Sequence, residues 1–380
     1  MQFKSKLPEV GTNIFTIMSR MAREHSAINL SQGFPDFPVA QQLKDLINKY
    51  VQQDYNQYAP MAGVMVLRQA IQDKVKLLYD RQVSAETDIT ITNGATEGLY
   101  SAISAFVSAG DEVITFEPAY DSYVPAIQVN GGINIPMRLS APDYKIDWTQ
   151  VADQISPRTK MIIINNPHNP TSAVLSQADL THLDEITRNT DIILLSDEVY
   201  QHLIFDGQRH ESVLRYPSLA ERSIVTMSFG KTFHATGWRI GYAIAPKLLT
   251  AELRKVHQFN TFSINTPLQY ALAEYLREPK HYQNLAPFFQ AKRNLFADAI
   301  ADSRFDLLPC QGTYFMLASY KQISEMGDQD FARWMTREKG VAVIPISSFY
   351  TNDTDQGIIR FCFAKSDGLL LQAAELINKV

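Results

Sequence analysis

A chain of 380 residues with two cysteines and a formal charge of −5 has room for a large core and a second lobe. Its 35 basic and 40 acidic side chains form no basic stripe of the kind a nucleic acid needs. The start, Met1 to Pro8, has no signal-like apolar run, and no later stretch is apolar over a membrane's width. The expectation is a soluble, cytoplasmic protein with neither nucleic-acid nor membrane partners.

Cys310 and Cys362 lie far apart without Cys-x-x-Cys spacing, and the histidines show no metal-ligand pattern. No disulfide framework and no metal are expected, and both cysteines are read as small buried residues. Neither Gly-x-Gly-x-x-Gly nor a Walker-type loop occurs, which removes the usual support for nicotinamide or nucleotide-triphosphate chemistry.

In chain order, a segment carrying Phe15, Ile17, Met18 and Met21 leads into Ser31-Gln-Gly-Phe-Pro-Asp-Phe-Pro38. There Gly33 and two prolines describe a rigid turn, read either as a ligand-facing loop or as a plain N-terminal arm. Leu43, Leu46, Ile47, Tyr50 and Val51 predict a helix over 41–53, and a second helical pattern runs over 67–79. Residues 89–92 are β-like and run through Asn93-Gly94 into a helix over 95–107, a junction whose free N–H groups and dipole suit an anion such as phosphate.

Further strands are expected at 112–117, 161–164, 192–195, 223–227 and 240–245. Short apolar strands alternating with helices predict an α/β fold, a mostly parallel sheet covered by helices on both faces. Ligands of such sheets collect at the carboxyl ends of the strands, where Asn165, Asn169, Asp197, Tyr200 and Lys231 all follow. Beyond about residue 280, helix and strand patterns at 285–300, 313–317, 330–339 and 358–363, and a final helix capped by Ser366, predict a smaller α+β domain. The division is an arm over 1–40 packing with the small domain, a large domain over 41–280 and a small domain over 281–380.

Lys231 is the only Lys, Arg, Asp or Glu between Arg222 and Arg239, and it sits among small and apolar residues. Burial lowers a lysine's pKa and makes the amine a nucleophile able to form a Schiff base. Arg360, inside Ile-Ile-Arg-Phe-Cys-Phe, is a cation in a strand expected to be buried. Its partner is either an internal Asp or Glu or a substrate carboxylate.

Together Asn166-Pro-His-Asn-Pro-Thr171, Ser196-Asp-Glu-Val-Tyr200, Ser228-Phe-Gly-Lys-Thr232, Gly237-Trp-Arg-Ile-Gly241 and Ile359-Arg-Phe361 resemble the fold-type-I, class I aminotransferases that depend on pyridoxal 5′-phosphate. The Ser31 to Pro38 stretch is similar to their glutamine/kynurenine/methionine branch. The resemblance implies that Lys231 carries the cofactor and moves the proton between Cα and C4′. It places Asp197 on the pyridine nitrogen, Tyr200 and Asn169 on the 3′ oxygen, Tyr120 stacked on the ring, and Asn165 in support. Ala95, Thr96, Ser228 and Arg239 would hold the phosphate, with Tyr58 reaching that of a partner subunit in a homodimer.

Arg360, Asn169 and the Gly33 backbone would hold the substrate carboxylate, and Phe15, Phe262 and Ser263 would line the side-chain pocket. The implied reaction is a ping-pong transamination from an apolar or aromatic amino acid, methionine first, then phenylalanine, histidine, glutamine and kynurenine, to a 2-oxo acid. A cysteine-S-conjugate or cystathionine-type β-lyase is the alternative, and a non-catalytic sensor lacks the basic DNA-binding segment it would need. Glu97, in the first turn after Asn93-Gly94, is expected to point away from the phosphate.

Overall fold

The computed structural model describes residues 4–380. Its centre is a seven-stranded sheet in the order Ile89–Thr92, Gly241–Ile244, Ser223–Ser228, Ile193–Asp197, Thr159–Asn165, Glu112–Glu117, Ile133–Arg138. Only Gly241–Ile244 runs against its neighbours; the remaining pairings are parallel. Side chains alternate across the sheet: Ile162, Ile164, Leu194 and Val225 enter one apolar core, while Met161, Ile163, Leu195 and Ile224 enter the other. Two buried faces explain why these strands read as unbroken apolar runs.

The edge strand Ile133–Arg138 was not among the expected strands. It is mostly exposed or half-buried, contains Pro136 and pairs on one side only, so its sequence lacks the apolar run of a central strand. Predicted helices appear at Gln41–Gln52, Met65–Tyr79, Gly94–Phe106, Leu285–Ala299 and Asp328–Glu338, shifted by at most two residues at most ends.

A second, four-stranded antiparallel sheet comprises Ile344–Pro345, Ile358–Cys362, Phe315–Ser319 and Asp306–Leu307. The helix Ile14–Glu24, capped by Asn13, lies against Asp328–Glu338, and Ile28–Asn29 pairs in parallel with Val341–Ala342. The final helix, Asp367–Ile377, follows Ser366 as expected, but the Ser366 hydroxyl makes no capping bond. Cys362 is buried, whereas Cys310, expected to be buried, is half-covered; both are free thiols. Among the described residues no helix is long and apolar enough to cross a membrane, and no cluster could hold a metal.

Beneath the sheet a buried polar chain carries its own stability consequence. The Lys74 amine donates to the Tyr242 hydroxyl at 3.0 Å and faces the Tyr242 and Tyr282 rings, and burial depresses its pKa to about 7. In the unfolded chain the same amine titrates near 10.5. Between those values the unfolded state binds more protons, so this group costs stability at neutral pH and the cost fades as pH rises. Lys74→Met should therefore stabilise the protein by roughly 2 kcal/mol at pH 7, net of the lost hydrogen bond, and by less at pH 10. Thermal melts of both proteins across that range test it; a stabilisation that grows with pH would reject it.

Candidate active site

The site lies where several strands end together. Gly241 is opposite both Thr92 and Ser228, and Asp197 is opposite Asn165 and Thr226, so the ends of five neighbouring strands form one row. A cavity above that row is lined by Ala95, Thr96, Tyr120, Asn165, Asn169 and Asp197, and by Tyr200, Ser228, Lys231 and Arg239. Sequence motifs separated by more than a hundred residues meet here because crossovers return each parallel strand in the same direction.

Close backbone approach builds one end of the cavity. A Cβ on Gly241 would stand 2.5 Å from the Met227 carbonyl and 3.0 Å from the Ala95 nitrogen, so only glycine lets this strand meet the start of the Gly94–Phe106 helix. Gly94, at φ +71°, leaves room for the Arg239 guanidinium, which a Cβ would meet at 2.6 Å. Arg239 is itself left-handed, at φ 51°, and donates to the Thr236 carbonyl at 3.1 Å. The helix start, the Ser228 hydroxyl and a permanent cation thus converge on one spot suited to an anion.

Glu97 turns away from that spot, as expected. Its carboxylate accepts from the Asn93 N–H at 3.0 Å and the Ser101 hydroxyl at 2.5 Å, and lies 3.0 Å from His257 Nδ1. Burial raises its pKa, but His257, Ser101 and the Asn93 amide outweigh that and hold it below the usual value. Through His257 it ties the Gly94–Phe106 helix to the Lys247–Asn260 helix.

At the other end Asp197 is 3 % exposed and accepts from the Tyr123 hydroxyl at 2.7 Å and the Val199 N–H at 3.3 Å. Burial raises its pKa to about 6, against the lowering effect of Tyr123, Val199 and Lys231. Asn165 braces the floor: Nδ2 donates to the Asp197 carbonyl at 2.8 Å, and Oδ1 accepts from the Asn169 N–H at 2.7 Å. Tyr120 stands at the rim, its hydroxyl 3.4 Å from that of Thr96 and its ring 5.7 Å from Tyr123.

The Lys231 amine donates to the Gly33 carbonyl at 3.2 Å and to the Tyr314 hydroxyl at 3.0 Å, with the Tyr200 ring centroid 5.5 Å away. Burial lowers its pKa to about 8; Arg360 and Arg239 add to that, while Cys362 and Asp197 oppose it. A useful fraction of the amine is therefore neutral near physiological pH.

Arg360 is 1 % exposed and forms no salt bridge with an internal carboxylate among the described residues. Its Nη1 donates to Asn169 Oδ1 at 2.7 Å and Nη2 to the Ser31 carbonyl at 3.3 Å, while buried Nε has no partner. Phe315 lies 3.8 Å from the guanidinium carbon, with Phe15 at 5.2 Å and Phe349 at 5.3 Å. Burial lowers its pKa to about 10, so it remains charged at neutral pH. Of the two partners open from the sequence, the internal Asp or Glu is thus not in place.

Three anticipated residues lie elsewhere in this chain. Tyr58 is 82 % exposed and packs edge-on against Phe262 at 5.3 Å, and Ser263 donates to the Ala59 carbonyl at 2.9 Å. Tyr58 and Ser263 border a separate surface groove and do not line the cavity around Lys231. Sequence reasoning overlooked Tyr123, Tyr314, Phe315 and Phe349. Tyr123 opens the short helix that follows Glu112–Glu117; Tyr314 and Phe315 stand at the start of Phe315–Ser319, and Phe349 follows Ile344–Pro345, where no chemical motif marked them.

The donor set fits one kind of group: an anion at the helix start, a cationic ring nitrogen at buried Asp197, and a carbonyl within reach of Lys231. Comparison with known proteins agrees. Residues 25–377 match the family model for aminotransferase class I and II. The chain is 50 % identical to a methionine aminotransferase of Escherichia coli strain K12, over 99 % of this chain and 98 % of that protein. It is 33 % identical to a kynurenine–oxoglutarate transaminase of Dictyostelium discoideum, over 97 % and 94 %. Among solved structures, an Escherichia coli protein described as having methionine aminotransferase function superposes with a TM-score of 0.98 at 49 % identity, covering all of both chains. An N-succinyldiaminopimelate aminotransferase from Mycobacterium tuberculosis gives 0.95 at 32 %, again over the full length of each. With catalytic-site geometry, sequence and fold in agreement, the chain belongs to the class I and II aminotransferase family.

Proposed function

We propose that this aminotransferase moves the α-amino group of an apolar or aromatic L-amino acid, methionine foremost, to a 2-oxo acid by a ping-pong mechanism. The cofactor of the family is pyridoxal 5′-phosphate, which supplies an electron sink for the bonds at the substrate's Cα when bound. Ala95 and Thr96 at the helix start, Ser228 and Arg239 would hold its phosphate. Asp197 would meet its ring nitrogen, Tyr200 and Asn169 its 3′ oxygen, Tyr120 its face, and Lys231 its carbonyl carbon.

The observation that carries the substrate reading is Arg360. A buried, charged guanidinium without an internal carboxylate is a costly arrangement unless an anion completes it, and an α-carboxylate matches its planar fork. Asn169 and the Ser31 carbonyl fix the guanidinium, and the bound carboxylate in turn fixes Cα relative to the Lys231 amine. Phe15, Phe315 and Phe349 around it favour an apolar side chain. A dicarboxylate would need a second cation, and the other cations of the cavity, Lys231 and Arg239, are assigned to the cofactor. The methionine preference also draws on the Escherichia coli sequence and structure matches.

The same residues suit abstraction of the Cα proton in a β-lyase, so product identity separates the two. Cofactor-loaded protein mixed with methionine should lose its long-wavelength absorbance and gain the pyridoxamine band, and a 2-oxo acid should restore the first. A donor panel headed by aspartate, or pyruvate with ammonia released from a cysteine conjugate as the main product, would overturn this reading.

The assembly we propose is a homodimer with shared sites. Exposed Tyr58 and Phe262, beside a groove that includes Ser263 and Thr266, form an aromatic surface able to reach a partner's phosphate and side-chain pockets. Within each subunit we assign 1–40 to an arm that packs with the small domain, 41–280 to the large domain and 281–380 to the small domain. The pairing of Ile28–Asn29 with Val341–Ala342 supports that division. A cytoplasmic location goes with this chemistry.

A further inference from the structure

Tyr314 belongs to none of the motifs that carry the family resemblance, yet its hydroxyl is bonded directly to the Lys231 amine. It donates to the Gly33 carbonyl at 2.6 Å and accepts from the Lys231 amine at 3.0 Å, while Lys231 also donates to the same carbonyl at 3.2 Å. Three polar atoms from three distant segments thus close a triangle. The geometry fixes the direction of each bond: a carbonyl can only accept, so the single phenolic hydrogen faces Gly33 and a hydroxyl lone pair faces the amine.

The ring that carries this hydroxyl is immobilised. Tyr314 is fully buried, with Tyr200 edge-on at 5.2 Å, Phe315 at 4.9 Å and Phe289 at 5.8 Å. It stands just before the Phe315–Ser319 strand, whose Leu317 pairs with Arg360. The segment that sets the hydroxyl is therefore continuous with the strand pair that presents the substrate-binding guanidinium.

We propose that Tyr314 is a positioning residue for proton transfer: its hydroxyl, locked on the Gly33 carbonyl, takes one N–H of the free Lys231 amine and so directs the nitrogen lone pair toward the substrate Cα. The side chain of lysine has four rotatable bonds and a strongly hydrated head, so a free amine has little orientation of its own. Two acceptors on one side of the nitrogen leave its remaining direction facing the cavity. Gly33 and Tyr314 also link the N-terminal loop to the small domain through the same atom, so the amine is oriented only where both segments are seated against it.

This rests on the transaminase reading. The test is Tyr314→Phe, which keeps the ring and removes the hydroxyl, assayed as cofactor-loaded protein with L-methionine and with α-deuterated L-methionine. Losing one neutral hydrogen bond should slow the single-turnover rate per bound cofactor about five- to tenfold. The KM for methionine should stay within about twofold, because Arg360 and Asn169 are untouched, and the steady-state isotope effect should rise as proton transfer becomes more limiting. Normalising to bound cofactor separates this from a variant that only loses cofactor or melts early. An unchanged single-turnover rate and isotope effect in Tyr314→Phe, with active wild type, would overturn the positioning role alone. Wild-type protein without a single-turnover signal for any donor would overturn the transaminase reading and this inference with it.

Discussion

Lys231→Ala should lower steady-state transamination by about 10⁴-fold or more, the combined loss of a positioned proton-transfer group and of the proximity that makes it effective. The amine is the one nucleophile of the cavity whose pKa, about 8, lets it both give and take a proton near neutrality. Nothing nearby can replace it. The Tyr200 and Tyr314 hydroxyls titrate well above their ordinary value because they are buried, and the Asp197 carboxyl is already bonded to Tyr123 and Val199. Lys231→Arg should be comparably inactive, since a guanidinium stays charged at working pH. The helix start, Arg239 and Asp197 remain in both variants, so absorbance should still report bound cofactor. Turnover of Lys231→Ala within tenfold of wild type would remove the amine from the mechanism.

Asp197→Asn should produce the other large effect, with opposite signs for activity and stability. A neutral amide cannot hold a ring nitrogen protonated, and removing such a charge from a water-poor site should cost about 10³-fold in turnover, at the upper end of single-group electrostatic effects. The cofactor-free protein should nevertheless become more stable. Burial raises the folded carboxyl to about 6 from an ordinary value of 3.8. Between those values the folded state binds more protons, so stability falls as pH rises, and above 6 the cost is fully present. Removing the carboxylate should recover up to about 3 kcal/mol at pH 7.5, less whatever the Tyr123 hydrogen bond loses in strength. At pH 4 the advantage should shrink toward zero. Thermal melts of both cofactor-free proteins at the two pH values decide it; a variant less stable than wild type at pH 7.5 would show that Asp197 is not a stored electrostatic cost.

The large sheet was legible because both its faces are buried. Met161 to Ile164 and Ile193 to Leu195 must be apolar on both sides, and such runs leave few readings open. Ile133–Arg138 lies at the edge, where one pairing partner and partial exposure relax that demand, and it passed unnoticed. The glycine junction at Asn93-Gly94 was readable as an anion cradle from local order alone. That Arg239 folds back over Gly94 to complete it depends on the antiparallel return of Gly241–Ile244 beside Thr92, a pairing that no local pattern specifies.

By itself the sequence determined the chemistry-bearing groups: an amine isolated among small and apolar residues, a carboxyl and an asparagine at strand ends, and an arginine in an apolar strand. Each is marked locally, because a charge in apolar surroundings is conspicuous wherever the chain runs. Tertiary structure alone decided whether those charges were already neutralised. Arg360 could have met an internal carboxylate, and only packing shows that it meets Asn169 and a backbone carbonyl instead. The Tyr314 hydroxyl on Lys231, the Tyr123 hydroxyl on Asp197, and the distance of Tyr58 and Phe262 from their own chain's cavity belong to the same category. Hydrogen bonds and rings of this kind join residues scores to hundreds of positions apart, and their geometry exists only once the seven-stranded and four-stranded sheets are assembled.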